Sequence, residues 1–132
     1  MSERYLAIRV VMMPRDTNPA GTIFGGVLLS YIDQAAAIGA RWALHKVGAN
    51  PPLIVTVAMN KIEFHRPVLV GDVVSFRTQL VRIGRTSVTV RVEVEAERQA
   101  QLIDVTAGEV TYVGVEKLPD GRLRPVPLQP EA

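Results

Sequence analysis

The chain has 132 residues, 48% of them hydrophobic, with a formal net charge of +2 and no cysteine. That is one domain with enough apolar material for a core, and it excludes a disordered chain, a disulfide scaffold and thiolate chemistry. The sequence pI is about 9.3, yet Lys and Arg alternate with Glu and Asp instead of forming the basic stripe that nucleic acid requires.

In chain order, Tyr5 to Met12 alternates, with Leu6, Ile8, Val10 and Met12 on one side, and predicts a first strand. Pro14 ends it. Asp16-Thr17-Asn18-Pro19 carries turn chemistry, since Asx side chains bond nearby backbone and Pro19 pushes Asn18 towards an extended conformation. Gly25 to His45 predicts a helix roughly 30 Å long at 1.5 Å rise per residue. At 100° per residue, Leu28, Leu29, Ile32, Ala35, Ala36, Gly39, Ala40 and Ala43 share one broad arc, so the helix is expected to be mostly buried. Asp33, its only carboxylate, falls at the edge of that arc, as a solvated charge, a partner for Arg41 or a functional group.

Four strands are expected next: Leu53 to Phe64, Val73 to Ile83, Thr86 to Ala96 and Leu102 to Val115. Gly71-Asp72 is a turn. Gly84-Arg85 reads as a two-residue hairpin of type II′, with glycine first. Residues 98 to 101 turn the chain again. Short turns imply antiparallel neighbours, which gives an α+β layer with one helix on a five-stranded antiparallel sheet. An uncovered sheet edge invites pairing with a second copy. Residues 1–116 form this domain, and the Pro-rich residues 117–132 form a tail lying over a surface.

The inventory excludes more than it selects. There is no G-x-S-x-G, no P-loop and no G-x-G-x-x-G. Two histidines, His45 and His65, without cysteine spell no metal site. No apolar run of about 18 residues and no signal-peptide pattern is present, so no membrane span is expected and a cytoplasmic location fits. Three features remain. Gly25-Gly26 opens a helix whose first N–H groups are unpaired and sterically accessible, which suits an anion or a developing oxyanion. Asn18 supplies an amide in the loop leading there, and Asp33 supplies a base. Together they are the parts for adding water to a carbonyl. Asp33 lies eight residues beyond Gly25, about 12 Å along the axis, so a site using both ends of this distance needs helices from two chains.

The stretch P-R-D-T-N-P-A-G-T-I-F-G-G-V-L-L-S-Y-I-D-Q-A-A-A resembles the acyl-CoA thioesterases of the hotdog fold. N-K-I-E-F-H-R-P-V-L-V-G-D-V-V, G-R-T-S-V-T-V and D-G-R-L-R-P-V-P-L are similar to later segments of the same family. The resemblance implies a long central helix wrapped by a five-stranded sheet, dimers joined edge to edge, and trimers of such dimers. It implies hydrolysis of acyl-CoA to acid and coenzyme A with no cofactor. It implies catalytic Asn18 and Asp33 from different subunits and thioester oxygen at Gly25-Gly26. Gly84-Arg85-Thr86-Ser87 is where the coenzyme A moiety is expected, with Arg85, then Arg122 or Arg124, meeting phosphate. The competing readings are a hotdog dehydratase, for which neither histidine stands at the helix start in sequence, and a non-catalytic acyl-CoA sensor, for which the chain has no length for an output domain.

Overall fold

The computed structural model describes residues 3–128. β1 (Arg4–Val11) leads through one 3-10 turn (Pro14–Asp16) to α1 (Gly25–Lys46). Then come β2 (Leu53–Asn60), β3 (Val73–Ile83), β4 (Ser87–Arg98), β5 (Gln101–Lys117) and a short β6 (Leu123–Pro125). Every strand pairing is antiparallel, in the order β1-β3-β4-β5-β2, with β6 added to β5. The sheet thus has six strands, the sixth formed by tail residues that carry no alternation.

β4 lies in the middle and shows why the sheet forms. Val88, Val90, Val92, Val94 and Ala96 point inwards and are buried, while Arg91 is exposed on the other face. β-branched side chains suit this pleated surface, and burying each valine contributes about 1.5–3 kcal/mol relative to exposure. They meet Phe76 of β3, Val110 and Tyr112 of β5, and the helix residues Leu28, Ile32, Ala35, Ala36, Ala40 and Leu44. The small side chains in the middle of α1 bring its axis close to the sheet. The limit is Gly39, where an added Cβ would stand 2.1 Å from Thr78 Oγ1.

Four expectations are corrected. The helix is less enclosed than its apolar arc suggests: Leu29 is 36% exposed and Ile38 41%, because the buried face centres on Leu28, Ile32 and Ala36. β2 ends at Asn60, where Lys61 takes a left-handed backbone (φ 63°) that breaks the extended run. Consecutive strands β2 and β3 are not neighbours: residues 61–72 are a crossover, and β2 pairs instead with the far side of β5. Finally, Gly84 lacks the positive φ of a type II′ turn. Ile83 pairs with Val88, so the loop is longer than two residues, and the glycine serves close approach, with Ser87 Oγ 2.8 Å from where its Cβ would be.

The turn between β4 and β5 does take two residues, Gln99 and Ala100, both left-handed (φ 51° and 62°). After β6 the chain returns to the sheet. Val126 N–H donates to Gly114 O (2.9 Å), Leu128 N–H donates to Arg85 O (2.8 Å), and the Leu128 side chain is buried over Gly114.

Candidate functional site

Asn18 organises the loop before α1. Its Oδ1 accepts from the N–H groups of Ala20 (2.9 Å) and Thr22 (3.2 Å), and its Nδ2 donates to Thr22 Oγ1 (2.9 Å). Its own N–H donates to Thr22 O (2.8 Å). Two backbone donors fix which amide atom is oxygen, and they fill both its lone pairs. One Nδ2 hydrogen is left over. The side chain is therefore an Asx turn, as its residue type predicts, and what it has to offer a ligand is a donor.

The loop delivers the chain to Gly25. Phe24 caps the helix without a side-chain bond. Its carbonyl accepts from Val27 (3.1 Å) and Leu28 (3.3 Å), while the N–H groups of Gly25 and Gly26 meet no acceptor among the described residues. A cavity of about 250 Å³ opens here, lined by Thr22, Gly25, Leu28, Phe64 and His65 among others. The Phe64 ring lies 3.5 Å from the position of a Gly25 Cβ. The sequence does not put a histidine at the helix start, but the crossover carries His65 to this cavity, with its N–H donating to Val105 O (2.9 Å).

Asp33 lies further along the helix, and its surroundings answer the choice left by the sequence. Arg41 is not its partner: that guanidinium donates to Pro51 O (2.6 Å) and Pro52 O (3.1 Å). Instead, Asp33 Oδ1 accepts from Thr56 Oγ1 at 2.8 Å and lies 2.8 Å from the Tyr112 hydroxyl. The same hydroxyl is 2.6 Å from the Asp33 backbone oxygen. Thr56 of β2 and Tyr112 of β5 are direct register partners, so two adjacent strands present hydroxyls at one point. Burial pushes the Tyr112 phenol well above the ordinary tyrosine range, and the hydrogen bond and charge of Asp33 push it further. Oδ2 takes no hydrogen bond from the described residues.

No sequence motif marks Thr56 or Tyr112. The available sign was a lone tyrosine on the valine face of β5, since a buried phenol requires an acceptor. Which acceptor depends on the β2–β5 pairing, which the crossover hides.

Asn18 and Asp33 share no contact within the chain: Asn18 bonds within residues 18–22, and Asp33 bonds to β2 and β5. The loop Gly84–Thr86 stands beside the Tyr112 end of β5, with Ser87 opposite Val113 and Thr86 O accepting from Gly114 N–H (2.9 Å). Arg85 is exposed there, and its guanidinium has no partner among the described residues. Arg122 pairs with Asp120 (2.6 Å) and Arg124 with Glu116. Among the described residues no group of three or more His, Asp or Glu is placed to hold a metal, and no helix is long and apolar enough to cross a membrane.

Known proteins give this geometry a context. Residues 20–103 match the thioesterase superfamily model. The acyl-CoA thioester hydrolase YciA of Salmonella typhimurium is 39% identical over 129 residues, covering 94% of this chain and 91% of that protein. A hexameric hotdog fold thioesterase of Campylobacter jejuni superposes with a TM-score of 0.78 at 42% identity, over 92% of this chain and 90% of that one. A hexameric thioesterase from Yersinia pestis gives the same TM-score at 35% identity, over 92% and 94%. The helix wrapped by an antiparallel sheet is the hotdog fold, and the chain belongs to the thioesterase superfamily.

Proposed function

We propose that this chain hydrolyses acyl-CoA thioesters to a free carboxylic acid and coenzyme A. The observation that carries the reading is Asp33: a carboxylate in an otherwise small and apolar helix, held through one oxygen by Thr56 and Tyr112 with the other oxygen open. Such a group deprotonates water for attack on the thioester carbon, whose C–S bond then breaks as the coenzyme A thiolate leaves and takes up the proton, or attacks that carbon itself and expels the same thiolate to give an anhydride that water then opens. The free N–H groups of Gly25 and Gly26 meet the oxyanion that either route develops. Asn18, with its one spare N–H, orients the carbonyl or water as a donor.

The active site is composite, with Asn18 and the helix start from one subunit and Asp33 from another. The absence of any contact between the two residues within one chain supports this, as does the roughly 12 Å between helix start and Asp33. Exposed apolar side chains on α1 (Leu29, Ile38) and on the β2 edge (Val57, Met59) supply the surface for edge-to-edge dimers. The names of the solved relatives as hexamers favour a trimer of these dimers. Arg85, with Thr86 and Ser87, receives the coenzyme A moiety, because Arg85 alone of the three arginines considered is unpaired. Coenzyme A enters as part of the substrate, no cofactor is used, and the protein works in the cytoplasm.

Free-thiol release from acyl-CoAs of graded chain length tests the activity. Asp33→Asn is expected to keep the fold and lower kcat by about 10²–10⁴, the weight of a positioned base. His65 at the cavity is the one observation favouring a dehydratase. Loss of enoyl-CoA absorbance without thiol release would establish that reading instead.

A further inference from the structure

We propose that Tyr112 is a positioning residue for Asp33, its hydroxyl pinning Oδ1 so that Oδ2 is the oxygen presented to the reacting atoms. The inference rests on the thioesterase reading above and says which carboxylate oxygen performs the chemistry.

Tyr112 is 1% exposed, so its hydroxyl has protein for a partner and not bulk water. A phenol has one hydrogen, and two acceptors of one residue stand before it: the Asp33 backbone oxygen at 2.6 Å and Oδ1 at 2.8 Å. A phenol that needed only satisfaction would be served by the backbone carbonyl. Reaching both atoms ties the main chain and the side chain of Asp33 to one point on β5. That contact limits rotation of the carboxylate. Thr56, across the register from Tyr112, completes the hold on Oδ1. Oδ1 is then held by the Thr56 hydroxyl and by its share of the one Tyr112 hydrogen, while Oδ2 takes no hydrogen bond from the described residues.

The groups around the carboxylate make this hold the main influence on it. From β5 comes Tyr112 and from β2 the uncharged Thr56, while Arg41 of the same helix is committed to Pro51 and Pro52. No cation pairs with Asp33 among the described residues. The phenol itself is held in its protonated form by burial and by the neighbouring carboxylate, so it acts as a donor across the working pH range.

The experiment compares wild type, Tyr112→Phe, Asp33→Asn and a chain with 3-fluorotyrosine placed at position 112. For each, kcat, KM and the melting temperature are measured. Tyr112→Phe keeps the ring in the core and removes the donor. Its kcat should fall by about 10–100-fold, the size of effect known for lost partners of metal ligands, with KM within about twofold. A fall in kcat at unchanged KM and nearly unchanged melting temperature is the signature of a positioning role, which a merely structural tyrosine would not give. Fluorotyrosine makes the phenol a stronger donor at almost constant shape, so its kcat should change by more than about twofold while KM and melting temperature hold. This second arm decides the matter if Tyr112→Phe fails to fold. A kcat unmoved by fluorotyrosine, or unmoved in a folded Tyr112→Phe, overturns the inference while Asp33→Asn is inactive. A fully active Asp33→Asn overturns the thioesterase reading of Asp33, and the role of Tyr112 with it.

Discussion

Gly39 of α1 meets Thr78 of β3 so closely that an ideal Cβ on residue 39 would lie 2.1 Å from Thr78 Oγ1 and 2.5 Å from Thr78 Cβ. This contact sets the spacing between helix and sheet. Alanine normally favours a helix over glycine by about 1 kcal/mol, but overpacking a core costs typically 1–3 kcal/mol. Gly39→Ala is therefore expected to destabilise, as read by denaturant unfolding. Adding Thr78→Ala should recover only part of the loss, because the Thr78 Cβ that remains is itself too near. Full recovery in the double variant would show that only the hydroxyl and methyl were in the way.

A second prediction concerns Asp72, which is 1% exposed. Arg98 grips both its oxygens (2.9 and 2.7 Å), and the N–H of Leu69 donates to Oδ2 (2.9 Å). Burial alone would raise its pKa, but the Arg98 hydrogen bonds, the Leu69 N–H and the Arg98 charge outweigh it, and the carboxyl is held below the ordinary range. In the folded state the proton is bound more weakly than in the unfolded state. The stabilisation is thus present above about pH 3.9, the ordinary carboxylate value, and is lost as pH falls from there through the folded-state value. Asp72→Asn should cost about 2–3 kcal/mol at neutral pH, below the full loss for a buried pair because Arg98 reaches solvent. Its melting temperature should also fall less steeply with acid than that of wild type. Parallel acid slopes would count against this account.

The composite site is tested by complementation. Asn18→Ala and Asp33→Ala dimers should each be nearly inactive. Equal amounts, mixed with subunit exchange, give about half heterodimers by two-fold symmetry, each with one intact site and one lacking both residues. Activity should recover to about a quarter of wild type if sites act independently. No recovery, with exchange shown by mass measurement, would place both residues in one subunit's site.

Arg85→Ala should raise KM for acyl-CoA more than it lowers kcat, because charge-assisted pairing with phosphate contributes to binding in ground and transition states alike. Removing the already paired Arg122 should have a smaller effect. An unchanged KM with unchanged salt dependence would remove Arg85 from the substrate.

What the sequence makes legible here depends on how local the physics is. The valines of β4 alternate over their whole length, and the helix from Gly25 begins where its glycines predict. The Asx turn at Asn18 follows from its own side chain and Pro19. Pairings across the chain are another matter. Thr56 lies opposite Tyr112 because residues 61–72 cross over and send β2 to the far edge, and no periodicity encodes that choice. The hold on Asp33 is consequently invisible in sequence, although Asp33 itself is not. Gly84 misleads for a local reason, since a glycine kept for contact with Ser87 looks the same as one kept for a left-handed turn. Gln99 and Ala100 err in the other direction, adopting left-handed backbone without the residues that usually announce it.

The burial of Leu128 over Gly114 has a consequence for how this protein is handled. A recombinant chain cut after Lys117 would retain the five long strands, the helix and every side chain proposed for chemistry. It would also bare the glycine on β5 that Leu128 covers, and would leave the Arg85 carbonyl without its donor. Such a chain should be stickier and bind substrate more loosely without any change at Asp33. A protease that nicks between β5 and Leu128 should act as a slow inactivator that never touches the carboxylate proposed for catalysis.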